Sequence, residues 1–141
     1  MHEPLPRAVV FDVDGTLAIR GHRHFADWRR VGEDLPNPAV VELAQLIAAA
    51  KRYRMIIMSG RDEVCRWQTE MWLDAQGVEF DELHMRRHKD NRKDVIVKRE
   101  LYDEHIAGRY EVAFVVDDRQ GVVDQWREMG FTVFQCAPGQ F

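Results

Sequence analysis

No stretch of this sequence approaches the roughly 20 consecutive apolar residues that a membrane-spanning helix requires, so no helical membrane span is expected. The start, Met1-His2-Glu3-Pro4, carries neither the basic nor the apolar region of a signal peptide, and a cytoplasmic protein is the expectation. Cysteine is scarce. Cys65 and Cys136 have neither metal-ligand spacing nor the pattern of a disulfide framework, and both read as reduced residues in or near the core. Positive charge is not in excess either: 20 Lys+Arg against 24 Asp+Glu give a net charge of −4. That argues against a broad nucleic-acid groove built on many phosphate contacts, while leaving room for a small contact at a chain end. Repeats, low-complexity tracts and linkers are missing too. Residues 1–141, 45% of them hydrophobic, therefore read as one domain with enough apolar content to bury a core.

What is present is an alternation of strand and helix signals, which implies a parallel sheet covered by helices on both faces. Strands are expected at about Ala8 to Asp12, Met55 to Met58, Leu83 to Met85, Glu111 to Val116 and Phe131 to Cys136. Asn37-Pro38 reads as an N-cap with proline at the first helical position, ahead of the stripe Val40, Val41, Leu43, Ala44, Leu46 and Ile47. Further helices are expected over Asp62 to Ala75, closed by Gly77, over Asp94 to His105, and over Gln120 to Met129, stopped by Gly130.

The first strand runs directly into Asp12-Val13-Asp14-Gly15-Thr16-Leu17. Strand alternation points Asp12 and Asp14 the same way, and Gly15 permits the sharp turn that follows. Two acids at a strand's carboxyl end suit Mg²⁺, a hard cation that takes oxygen ligands and keeps positions for water and a substrate phosphate. A lone Asp-x-Asp would more often be a capped or solvated turn. Here, however, Ser59-Gly60-Arg61 and Asp117-Asp118-Arg119 each end another apolar strand. Ligands of open α/β sheets bind at the carboxyl ends of strands, so the three clusters converge at one rim. Lys98, four residues after Asp94, shares its helical face.

These clusters resemble the four motifs of the haloacid dehalogenase (HAD) phosphotransferase superfamily. The resemblance implies a Rossmann-like fold, Asp12 as the nucleophile that forms an aspartyl phosphate, and Asp14 as general acid and base. It implies a metal bridged by Asp12, the Asp14 carbonyl and Asp118, with Asp117 orienting either the metal's waters or the lysine. Ser59 and Lys98 would hold phosphoryl oxygens, with Asp94 fixing Lys98 or an arginine. More specifically, Phe11 to Leu17, Ser59-Gly60-Arg61, Met85-Arg86-Arg87, Arg92 to Lys98, Asp117-Asp118-Arg119 and the terminal Ala137-Pro138-Gly139-Gln140-Phe141 resemble the 3′-phosphatase domain of phage polynucleotide kinase/phosphatase. That likeness implies Arg23, Arg61, Arg86, Asp94 and Arg119 as substrate-binding residues, with Arg20 a rival to Arg23. It implies 3′-phosphorylated DNA or RNA ends as substrates, in end healing or repair. No Gly-x-x-x-x-Gly-Lys-Ser/Thr phosphate loop occurs in the sequence, so a kinase and a ligase would be separate partners.

Little is inserted where HAD enzymes carry lids. Residues 18–35 hold room for about one helix and a loop, so the site is expected to have minimal or no cap and to admit the end of a large substrate. From Arg86 to Arg99, seven Lys/Arg face two Asp, a basic run that is either a phosphate-backbone patch or a solvated face. Arg86, Asp94 and Lys98 are expected at the site, and Lys89, Arg92, Lys93 and Arg99 at the surface. Trp67, Trp72 and Trp126 have helical spacing suited to packing, whereas Phe25 and Trp28 are better placed to touch a nucleoside. A nucleotidase or other small-molecule phosphatase shares the metal site. A receiver-type phosphoacceptor module fits less well, because Asp14 supplies a proton donor within one turn of Asp12.

Overall fold

The computed structural model describes residues 3–139. Met1 and His2 of the amino-terminal segment, and Gln140 and Phe141 of the terminal motif, lie outside the described residues. In chain order the elements are β1 (Arg7–Phe11), β2 (Ala18–Ile19), β3 (Leu35–Pro36), α1 (Pro38–Ala50), β4 (Arg54–Asp62), α2 (Arg66–Ala75), β5 (Glu82–Arg86), α3 (Asp94–His105), β6 (Glu111–Arg119), α4 (Gln120–Glu128) and β7 (Val133–Gly139). Five strands form one parallel sheet in the order β5-β4-β1-β6-β7. The order reverses around β1, so the crevice outside its carboxyl end is the place where such sheets bind ligands.

Alternation along the strands divides the core in two. Val9 and Phe11 of β1 and Met55 and Ile57 of β4 pack with Val41 and Ala44 of α1 and Trp72 and Leu73 of α2. Ala8, Val10, Ile56 and Met58 point the other way, onto Val97 and Leu101 of α3 and Val122, Val123 and Trp126 of α4. This is the double-sided covering that the near-continuous apolar strands require. Trp72 and Trp126 belong to these cores, while Trp67 faces outward at 68% exposure.

Several local expectations are corrected. Residues 18–35 hold no α-helix: β2 and β3 pair antiparallel, and a 3₁₀ turn, Trp28–Glu33, lies between them. Pro38 does open α1, but the Asn37 side chain makes no capping bond. Asp62 caps a short 3₁₀ turn, Glu63–Cys65, by accepting from the Val64 amide, and α2 begins only after it. The last strand starts at Val133 because Phe131 packs against the second core. Gly77 takes the left-handed conformation expected of it, with φ of 67°. Cys65 and Cys136 are unpaired thiols, the first buried and the second half-buried, and burial pushes both thiols up in pKa. Among the described residues no helix is long and apolar enough to cross a membrane.

Candidate active site

Asp12 follows the last residue of β1, and its amide donates to the Val116 carbonyl of β6 at 3.0 Å, which locks the two strand ends together. The chain then turns at Gly15 with φ of +80°, where a Cβ would stand 2.2 Å from Asp118 Oδ2. Glycine is needed there for conformation and for space. The Thr16 hydroxyl lies 3.2 Å from both Asp12 Oδ2 and Asp118 Oδ1. From α3, Lys98 Nζ donates to Asp12 Oδ1 at 2.8 Å and to Asp117 Oδ2 at 3.0 Å. The other Asp117 oxygen accepts from the Asp118 amide at 2.8 Å and the Arg119 amide at 3.3 Å. Of the two roles open to Asp117, this geometry supplies the lysine-orienting one.

Asp12, Asp117 and Asp118 are all buried, and their nearest ligand atoms lie within 4.8 Å of one another. The Lys98 ammonium pairs with Asp12 and Asp117 of these three carboxylates, so the cluster holds a surplus of negative charge. Burial and then the Asp117 carboxylate raise the Asp12 pKa well above its usual value, with Lys98 opposing the shift. Burial and Asp117 raise Asp118 likewise. Burial works against the charge on Lys98, but Asp117 and Asp12 outweigh it and hold the ammonium protonated. A dense oxygen donor set with uncompensated charge fits a divalent cation. The Asp14 side chain stands outside this cluster, so its contribution to a metal would come through the backbone carbonyl.

Asp14 instead faces two arginines. Its carboxylate, 42% exposed, accepts from Arg61 Nε at 3.0 Å and Arg61 Nη2 at 2.9 Å. Arg23 Nη2 stands 3.6 Å away. Both guanidinium groups are buried and both are held by Asp34: Arg23 donates at 2.7 and 2.8 Å, and Arg61 Nη2 at 2.7 Å. Trp72 Nε1 donates to the Asp34 carbonyl at 2.8 Å, fixing the backbone there. Arg23, not the exposed Arg20, is thus the arginine at the site. Asp34 was not singled out from the sequence. It sits in an acidic-looking turn beside Glu33, and only the fold reveals that two buried cations converge on it. Removing a buried charge that anchors two cations leaves them only the half-exposed Asp14 as counter-charge, at a cost of up to about 3–5 kcal/mol. Asp34→Ala should therefore lower the urea midpoint markedly and reduce turnover, and an unchanged midpoint would refute this anchoring role.

Ser59 is buried, and its hydroxyl accepts from the Arg61 amide at 3.0 Å, within the irregular end of β4 where the pairing with β5 shifts register. Asp94 pairs with Arg86 and, at 3.5 Å, with Arg119 Nε, so it fixes arginines and makes no hydrogen bond to Lys98. A Cβ on Gly60 would lie 2.7 Å from Asp94 Oδ1, showing how closely the end of β4 packs on this carboxylate. Arg86, expected to bind substrate, also ties the backbone together. Its guanidinium donates to the carbonyls of Gly60, Asp90 and Arg92 and to Asp94, which ties the end of β4 to the loop before α3 and the first residue of that helix. The basic run is largely matched by acids: Arg92 with Asp90 and Glu100, Arg87 with Glu104, and Arg99 with Asp103.

Acidic strand ends gathered around a buried lysine, at the switch point of a parallel sheet, define a phosphatase of the HAD type. The chain belongs to the family described as the polynucleotide kinase PNKP phosphatase domain, whose family model matches residues 6–141. A protein of Autographa californica nuclear polyhedrosis virus, named for bifunctional polynucleotide kinase and RNA ligase activity, is 34% identical over 135 residues, covering 94% of this chain and 20% of the viral one. A chain in the structure of the Pnkp1/Rnl/Hen1 RNA repair complex is 40% identical with a TM-score of 0.92, covering 97% of this chain and 44% of that one. D,D-heptose 1,7-bisphosphate phosphatase from B. bronchiseptica, solved with magnesium and phosphate, shares the fold at 11% identity and a TM-score of 0.62, over 92% of this chain and 79% of that one. The chain thus spans about a fifth of the viral protein and less than half of the repair-complex chain.

Proposed function

We propose that this domain is a Mg²⁺-dependent polynucleotide 3′-phosphatase that prepares broken nucleic-acid ends for repair. The observation that carries the reading is the division of labour between two aspartates two residues apart. Asp12 is buried and held by Lys98, whereas Asp14 stands at the mouth, partly open to solvent, with its carboxylate aimed by Arg61. In the first step an Asp12 oxygen bonds to phosphorus, the bond to the 3′-oxygen breaks, and Asp14 gives its proton to the departing alkoxide. In the second, Asp14 takes a proton from water as that water attacks phosphorus, releasing phosphate and restoring Asp12. Asp12, Asp118 and the Asp14 carbonyl would hold a divalent metal, which would supply the positive charge that lets an anionic carboxylate approach an anionic phosphate. In this reading Lys98, whose ammonium contacts Asp12, binds a phosphoryl oxygen, and Arg119 serves the same rim.

The small insertion over residues 18–35 leaves the mouth without a lid domain, which suits a polymer end whose terminal phosphate alone enters. The repair-complex and viral relatives, named for polynucleotide kinase and RNA ligase functions, favour RNA ends and a kinase and a ligase as partners. The test is a panel of oligonucleotides bearing 3′-phosphate, 5′-phosphate or 2′,3′-cyclic ends, in DNA and RNA, beside a free nucleoside 3′-monophosphate. Release from 3′-phosphate ends that EDTA abolishes is expected. Faster turnover of the free nucleotide than of the polymer would assign the domain to nucleotidases instead.

A further inference from the structure

The 3′-oxygen that leaves phosphorus must lie against Asp14, because that carboxylate protonates it, and the sugar and base bonded to it therefore emerge on the Asp14 side of the mouth. On that side Arg23 links Asp14 to the surface. Its Nη2 approaches Asp14 while its Nη1 donates to the carbonyls of His24 at 3.3 Å and Phe25 at 3.1 Å. A buried guanidinium thus sets the backbone of two exposed aromatic residues relative to the general acid. Phe25 is 61% exposed. The His24 ring lies 4.6 Å from it, tilted by 36°, and is itself fixed because the Ala26 amide donates to His24 Nδ1 at 3.2 Å.

Among the described residues this large apolar ring, held out in water by a buried arginine, makes ring contact with His24 alone. Trp28, three residues on, differs: it packs against the first core. The segment that carries Phe25 also holds the exposed cations Arg20 and Arg29, the latter 3.8 Å from Asp27 Oδ1 yet 93% exposed, suited to the phosphates that follow a terminal nucleotide. The basic run from Arg86 to Arg99, by contrast, is largely neutralised by its own acids. We propose that Phe25, backed by His24, is the platform on which the base of the 3′-terminal nucleotide stacks while its phosphate is removed. The inference rests on the 3′-phosphatase reading and adds a specificity-determining residue to it.

Phe25→Ala and Phe25→Trp separate this role from a structural one, since Phe25 is exposed and the loop is held through backbone carbonyls. Their kcat/KM is measured on two oligonucleotides with 3′-phosphates, one ending in an ordinary nucleotide and the other in an abasic sugar. Base stacking on an aromatic ring corresponds to a loss of about five- to a hundredfold for Phe25→Ala on the ordinary end, with Phe25→Trp restoring it. The abasic end should cost the wild-type protein a similar factor, and Phe25→Ala should add no comparable loss to it. Equal losses on both ends, or none on the ordinary end, overturn the platform while leaving the phosphatase reading intact. A wild-type protein that releases no phosphate from either end overturns that reading, and the platform with it.

Discussion

Asp12→Asn is expected to reduce phosphate release to background while leaving the fold intact. The carboxamide keeps the shape of the side chain but cannot form the phosphoryl ester, so the two-step route has no first step. A loss of at least about 10⁴-fold is expected, equivalent to roughly 5 to 6 kcal/mol of barrier at about 1.4 kcal/mol per tenfold. The stability effect has a defined sign. Burial and Asp117 raise the folded-state pKa of Asp12, so the folded chain binds this proton more tightly than the unfolded chain does. Without metal, this group's ionisation therefore weakens the fold as pH rises from the ordinary carboxylate range through that raised value. Removing the ionisable group should leave the metal-free melting temperature at neutral pH no lower than that of the wild type, and should diminish its rise on adding Mg²⁺. A purified variant that still turns over substrate well above background would show that another group attacks phosphorus.

The sheet and the buried half of the site were legible because each depends on short-range signals. An apolar strand that ends in acid and glycine announces its own geometry, and three such strand ends meet wherever a parallel sheet forms. Lys98 was legible through helical spacing from Asp94, although its hydrogen-bond partners proved to be Asp12 and Asp117. The sequence carried less about the residues that hold the site's arginines. Asp34 lies 20 residues from Asp14 in the chain and 27 from Arg61, and no local pattern marks an acid whose function is to receive two guanidinium groups through tertiary packing. The surroundings of Arg86 are hidden in the sequence for the same reason. A basic run says nothing of which members have carbonyls and carboxylates within reach, and Arg86 donates to groups from two separate stretches of chain. The segment between Ala18 and Leu35 also escaped reading, because a two-residue ribbon and a 3₁₀ turn leave no periodicity to detect.

Asp14→Asn should slow phosphate release in proportion to how poor the leaving group is. The 3′-alkoxide of a sugar needs a proton as it departs, whereas p-nitrophenolate leaves without one. Loss of the general acid should therefore cost about 10²- to 10⁴-fold on a 3′-phosphorylated oligonucleotide and much less on the first step with p-nitrophenyl phosphate. With the aryl ester, dephosphorylation of Asp12 should become slow instead, because the same residue activates water in the second step. A burst of p-nitrophenolate matching the enzyme concentration, followed by a slow steady state, is the expected trace. The position of Asp14 makes this outcome separable from damage to the metal centre. Its side chain faces Arg61 and Arg23, outside the cluster of Asp12, Asp117 and Asp118, so the Mg²⁺ concentration giving half-maximal rate should change little. Equal losses on both esters with an unchanged metal requirement would count against proton transfer by Asp14. They would leave the carboxylate the narrower task of holding Arg61 and Arg23 in place at the mouth.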